Sequence, residues 1–172
     1  MLMKRKKFTE AAQDFTALID GSEPDCQETA IRESARGFRS YALGARADCY
    51  HQLHLSDKAL ADINQALAIT PKSPQLLKTR ADIYSEAGKY GEAINDLSKA
   101  LEIADRNGLR LDRARLYAKQ NDWPSAIKDY SLIIESDRGF LKEALTGRAA
   151  AYNATKQGQA AQADLARAQK LD

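Results

Sequence analysis

Proline and glycine are scarce, four and nine among 172 residues. That excludes a loop-rich all-β design, whose frequent turns draw on both. There are two cysteines, Cys26 and Cys49, and no Cys-x-x-Cys. They form no disulfide framework and read as free thiols of a reducing compartment. No run of 18 apolar residues exists, so no membrane-spanning helix is expected. The basic start, Met1 to Lys7, is followed by no apolar stretch and does not read as a secretory signal. A cytoplasmic location is the default expectation. Neither sign of charge is in excess: 26 basic residues face 24 acidic ones, a net +2. The basic footprint of a nucleic-acid binder is therefore missing, and neither nucleic acid nor membrane is expected as a partner.

Catalytic and metal chemistry are short of residues too. His51 and His54 are the only histidines, and no cysteine or carboxylate joins them at ligand spacing. No metal and no cofactor are expected, and the pair reads as a surface or partly packed one. No glycine loop of the phosphate-cradling kind is present. Cys26 stands beside an expected helix start, which lowers a thiol pKa, but no base accompanies it. Cys49 reads as core. The chain is therefore not expected to be an enzyme.

What the chain does have is a repeat. Arg-Ala-x-x-Tyr occurs four times, beginning at Arg46, Arg80, Arg113 and Arg148, at spacings of 34, 33 and 35 residues. Each copy is followed by Ala-x-x-Asp-x-x-x-(Ala/Ile): Ala59 with Asp62 and Ala66, Ala93 with Asp96 and Ala100, Ala126 with Asp129 and Ile133, Ala161 with Asp164 and Ala168. A fifth copy, Ala11, Asp14 and Leu18, opens the chain without a preceding Arg-Ala-x-x-Tyr. Apolar positions over 76–86 and 92–103 recur at steps of three and four, the helical signature. Gly88, Asn121-Asp122 and Gly158 mark turns between paired helices.

This pattern resembles the tetratricopeptide repeat, a 34-residue helix–turn–helix unit. Residues 74–107 match best: Leu77, Ala81, Tyr84, Gly88, Tyr90, Ala93, Leu97 and Ala100 occupy the family's signature slots, and Pro71 closes the preceding unit. Trp123 fills the aromatic slot that Phe8 and Tyr90 fill in their own units. The resemblance implies an all-α, right-handed superhelical solenoid of antiparallel helix-turn-helix repeats. As one domain over 1–172 it comprises a half repeat at 1–19, a loop and helix extension at 20–39, and repeats at 40–73, 74–106, 107–141 and 142–172.

Three departures carry information. The family's usual leucine before the small residue is arginine here. An antiparallel hairpin sets it level with the aspartate of the second helix, so the expected ion pairs are Arg46–Asp62, Arg80–Asp96, Arg113–Asp129 and Arg148–Asp164. Second, Ala11 to Ala59 spans 48 residues where Ala59 to Ala93 spans 34. The extra fourteen residues are read as a first helix lengthened by about four turns. It starts near Pro24, Asp25 and Glu28, follows an acidic loop at 20–25, and runs along the stripe Ile31, Ala35, Phe38, Ala42, Ala45 and Cys49. Third, both ends look uncapped, exposing Phe15, Leu18, Leu165 and Leu171, so the expectation is either that the chain is a fragment of a larger protein or that its ends self-associate. The basic run Lys4 to Lys7 falls where a turn is expected.

The family implies function by binding: the concave face, lined by the first helix of each repeat, receives a peptide or partner protein. The residues expected on it are Tyr41, Asp48, His51, Lys78, Asp82, Glu86, Asp112, Arg115 and Lys119, together with Ala45, Thr79, Leu111 and Ala118. Tyr41 is the expected aromatic anchor. The carboxylate clamp that some family members use for chaperone tails is rejected. Its slots hold Gly44, Asp48, Thr79, Gly108 and Asp112 in one register and Lys78, Asp82, Asp112, Glu143 and Gly147 in the next, and the aspartates would repel a carboxylate. The alternative reading is a regulatory or substrate-docking segment of a larger enzyme or assembly.

Overall fold

Alanine sets the spacing of the helices. Ala59, Ala93, Ala126 and Ala161 are at most 1% exposed, as are Ala47, Ala81, Ala114 and Ala149. A methyl at these positions lets two helix backbones approach where a leucine would hold them apart. The structure, a computed structural model, describes residues 2–21, 29–136 and 139–171. The helices are α1 (Leu2–Asp20), α2 (Thr29–Gln52), α3 (Ser56–Ile69), α4 (Pro74–Glu86), α5 (Tyr90–Ile103), α6 (Asn107–Lys119), α7 (Trp123–Ser136), α8 (Leu141–Ala154) and α9 (Gly158–Ala168), then a 3-10 turn at Gln169–Leu171. No strand occurs among the described residues.

The chain forms two compact units, Met1–Ile83 and Tyr84–Asp172. In the first, α1 packs on α2 and α2 on α3. In the second, α5 packs on α6, α6 on α7, α7 on α8 and α8 on α9. Leu111, Ala114, Ala126, Tyr130, Ile133, Ala144 and Leu145 make one continuous core there. Gly147 is part of the same fit, because a Cβ there would fall inside contact distance of the rigid Tyr130 ring.

The hairpin turns are built alike. His54, Gly88, Asn121 and Lys156 adopt left-handed backbone, with φ of 59°, 73°, 60° and 61°. The residue after each donates its N–H to a tyrosine carbonyl five residues back: Leu55 to Tyr50, Lys89 to Tyr84, Asp122 to Tyr117 and Gln157 to Tyr152, at 2.8–2.9 Å. These bonds satisfy carbonyls that a helix C-terminus would otherwise leave open. His54 is thereby a turn residue. The expected turn glycine, Gly158, instead opens α9, and Lys156 takes the left-handed position.

Two further expectations need correction. Lys4 to Lys7 are helical and exposed within α1, not a turn. Lys6 stands in the slot that His54, Gly88, Asn121 and Lys156 hold in the hairpins, but lysine and arginine are good helix formers, and Lys6 pairs with Glu10 one turn on. Leu111, expected on the concave face, is 3% exposed and belongs to the core, and Thr79 is 5% exposed. The lengthened helix is present: α2 has 24 residues against 13 in α4 and in α6. Its stripe is buried at Ala42 and Cys49, while Phe38 is 47% exposed. Pro24, Asp25, Cys26, Glu28 and the side chain of Ile31 lie outside the described residues.

Candidate functional site

Three of the repeated arginines are bound to buried aspartates. Arg46 donates Nε to Asp62 Oδ2 at 2.7 Å and Nη2 to Oδ1 at 2.8 Å. Arg113 chelates Asp129 in the same way at 2.8 Å, and Arg148 chelates Asp164 at 2.8 Å. Such forked pairs are the strong, directional form of the interaction. The carboxylate partner raises each guanidinium pKa against the opposing effect of burial. Each guanidinium also lies over the tyrosine four residues on, 5.6–5.8 Å from the ring centre.

A third bond was not expected. Arg46 Nη1 donates to Thr16, Arg113 Nη1 to Ser98 and Arg148 Nη1 to Ser131, at 2.9–3.0 Å. Arg80 Nη1 donates to Asn64 Oδ1 at 2.8 Å. Every acceptor stands two residues after the repeat aspartate of the preceding second helix, after Asp14, Asp62, Asp96 and Asp129. Three of the four expected ion pairs are therefore present. For the fourth, Arg80 and Asp96 fall in different units, and Asp96 is 1% exposed.

The first unit opens into a cleft of about 840 Å³. From α2 it takes the face Gly37, Tyr41, Gly44, Ala45 and Asp48, and opposite stand the α3–α4 connection and the start of α4, with Pro71, Leu76 and Thr79. Small residues make the depth: a Cβ on Gly44 would come within 2.7 Å of Leu76 Cδ2. Ser40 and Thr70 share a hydroxyl hydrogen bond of 2.6 Å beside the Ala66 carbonyl, so the cleft wall is largely satisfied internally. The exposed polar side chains on this lining are Tyr41, Asp48, Lys72 and Gln75. Tyr41 is 69% exposed. Asp48 keeps an exposed edge and accepts the Thr79 hydroxyl on Oδ1 at 3.1 Å. Desolvation by the surrounding walls pushes its carboxyl pKa up, opposed by the Thr79 bond and by His51.

The other expected residues divide between the units. Lys78 forms an ion pair with Asp82 at 2.7 Å in the first unit, where His51 is half-buried. Glu86, Asp112, Arg115 and Lys119 belong to the second. There Arg115 lies 3.7 Å from Asp112, and Lys119 Nζ sits 5.3 Å from the Tyr90 ring centre. Cys49 is buried, and burial raises its thiol pKa. Among the described residues no group of three His, Cys, Asp or Glu side chains is placed to hold a metal ion, and no helix is long and apolar enough to cross a membrane.

The Tetratricopeptide repeat family model matches residues 79–107. Human Tetratricopeptide repeat protein 13 is 27% identical over 154 residues, covering 80% of this chain and 17% of its own length. The chain is thus similar in sequence to the tetratricopeptide-repeat family. Solved structures share the all-α repeat fold. BtubC (BKLC) from P. vanneervenii matches with a TM-score of 0.81 at 20% identity, over 98% of this chain and 74% of that one. YrrB, described as a TPR protein with an unusual peptide-binding site, matches with a TM-score of 0.67 at 16% identity, over 81% and 73%. The chain spans 17% of the human relative's length.

Proposed function

We propose that this TPR chain is a protein-interaction module that takes a peptide or a partner segment along the concave faces of its first helices. The observation that carries the reading is the cleft of the first unit, where a largely exposed tyrosine and an exposed-edge carboxylate of raised pKa stand over a small-residue floor. Exposed tyrosine offers broad contact area at low entropic cost. A carboxylate with a perturbed pKa in a cleft is a recurrent mark of a functional site. The peptide-binding site of YrrB, a protein of like fold, supports the same class of activity. Tyr41 is the anchor and Asp48 accepts a donor or cation from the ligand. His51, Lys78, Asp82, Glu86, Asp112, Arg115 and Lys119 supply mixed charge along the remaining first-helix faces.

The test is a peptide selection against the full chain, followed by binding of the selected peptides to variants. Tyr41→Ala and Asp48→Lys should each weaken them at least about tenfold, about 1.4 kcal/mol, with the circular dichroism spectrum unchanged. Arg115→Glu combined with Lys119→Glu should weaken acidic peptides. Unchanged affinity in all three would place the binding surface elsewhere. A second reading, a docking or regulatory segment of a larger protein, is favoured by the small share of the human relative that the chain spans.

A further inference from the structure

The cleft of the first unit is uneven in charge along its length. Thr79, on the second turn of α4, bonds Asp48 at one end. Thr70, just before α4, bonds Ser40 at the other. From Ser40 to Asp48 the helix α2 rises about 12 Å, at about 1.5 Å per residue. Of the described residues that line the cleft, Asp48 is the one carboxylate and Lys72 the one cation, and Lys72 stands at the Thr70 end. Between them lie Gly44, Ala45 and Leu76, small or apolar. The Thr79 hydroxyl takes one Asp48 oxygen, and Lys78 beside it is held by Asp82 at 2.7 Å. The walls that desolvate Asp48 leave its ionised form short of the hydration it would have in water. The corresponding corner of the second unit is filled differently. Counted from the repeat arginines, Gly108 stands there for Tyr41, Phe140 for Lys72 and Arg115 for Asp48. Phe140 lays its ring against Gly108, where a Cβ would meet ring carbons at 3.7–3.8 Å, and Arg115 has Asp112 at 3.7 Å. In the first unit the aromatic of this corner, Tyr41, is 69% exposed instead.

Resting on the reading that this cleft binds a peptide, we propose the chemistry of that peptide: an extended segment whose arginine or lysine pairs with Asp48 while an apolar side chain on the same segment packs on Tyr41. The spacing follows from α2. Tyr41 and Asp48 lie two turns apart on one face of the helix, about 10.5 Å along its axis. An extended chain advances about 3.3 Å per residue, so the basic and apolar residues stand about three positions apart. The basic group supplies the charge that desolvation leaves unanswered at Asp48, and an arginine does so with a directional, charge-assisted bond. The apolar residue covers the exposed Tyr41 ring and the small residues beside it. Lys72 repels a basic group from the Thr70 end, so the segment has one direction along α2. An acidic residue is disfavoured at the Asp48 end for the same reason.

The test is a selection of phage-displayed random peptides on the full chain, with the enriched peptides then bound, as fluorescent synthetic copies, to the native chain and to variants. Peptides that need Tyr41, judged by loss of binding to Tyr41→Ala, should carry arginine or lysine at the stated spacing from an apolar residue. Glutamine in place of that basic residue should weaken binding at least about tenfold. Asp48→Asn, which keeps an acceptor for Thr79, should cost the native peptide a similar factor, and Asp48→Lys should prefer a copy with glutamate there. Peptides that need Tyr41 but bind equally well with glutamine in that place would overturn this proposal and leave the peptide-binding reading standing. So would a spacing of about two helical turns between the two residues, which would make the ligand a helix. No enrichment, or enriched peptides indifferent to both Tyr41→Ala and Asp48→Asn, would overturn the cleft reading and this proposal together.

Discussion

A single arginine in this chain does the work of three contacts. Arg113 chelates Asp129, reaches Ser98 on α5 and covers the Tyr117 ring. Asp129 is almost fully buried, so removing Arg113 strands a charge in the interior. Arg113→Ala should cost about 3–5 kcal/mol, the range for breaking one side of a buried pair. In a double-mutant cycle with Asp129→Ala, followed by urea unfolding, the two losses should fall well short of additive. Additive losses would mean that the pair is not coupled. Asp48 behaves in the opposite sense. Its pKa is raised in the folded state, so the fold binds its proton more tightly than the unfolded chain does. The ionised form therefore opposes folding above the folded pKa, and stability is regained as the pH falls through the raised range. Asp48→Asn keeps an acceptor for Thr79 and should stabilise the chain at neutral pH. The advantage should vanish below the ordinary carboxylate range, as thermal melts at both pH values would show.

At the scale of the element, the four hairpin turns share one geometry but not one residue. Gly88 pays nothing for its positive φ, while Lys156 holds φ 61° with a side chain. A left-handed residue with a Cβ costs roughly 1–2 kcal/mol, and glycine's added freedom in the unfolded chain returns part of that. Lys156→Gly should therefore raise stability by about 0.5–1 kcal/mol, visible as a higher melting temperature. Gly88→Ala should lower it. A fall with Lys156→Gly would show that the side chain contributes more than its strain. Much of this level was legible in the sequence. The alanine and aspartate spacings mark helix faces, and the antiparallel hairpin sets each arginine against the aspartate 16 residues on, as in Arg46–Asp62, Arg113–Asp129 and Arg148–Asp164. The turn residues were less legible, because lysine gives no composition signal for left-handed backbone and a lone histidine only a weak one. Lys4 to Lys7 misread as a turn for the converse reason: position in the repeat suggests a turn there, while local helix propensity favours continuing α1. Leu111 was misplaced because periodicity tells which residues share a face, not which neighbour covers it.

At the scale of the whole molecule, the class of fold was legible in the sequence and the shape of the cleft was not. Tyr41 and Asp48 were expected on one binding face, but the cleft that they line on α2 also takes in Gly37 and Gly44, whose importance lies in what they omit. The nine expected residues are distributed over two units, and some of their charge is answered locally, Lys78 by Asp82 and Arg115 by Asp112. The acceptor two residues after each aspartate went unnoticed because threonine, asparagine and serine look like ordinary surface choices until the arginine that reaches them is seen. That tie bears on how such an array grows by duplication. A copied hairpin brings its own aspartate, but its arginine must find the third acceptor on whatever helix now precedes it. Because threonine, asparagine and serine all serve, a copy inserted after α1, α3, α5 or α7 meets a ready acceptor. After α9 it would meet Ala166, which offers none. Duplication inside the array is thus the less costly event, and a copy joined behind α9 would need a second, compensating substitution at position 166.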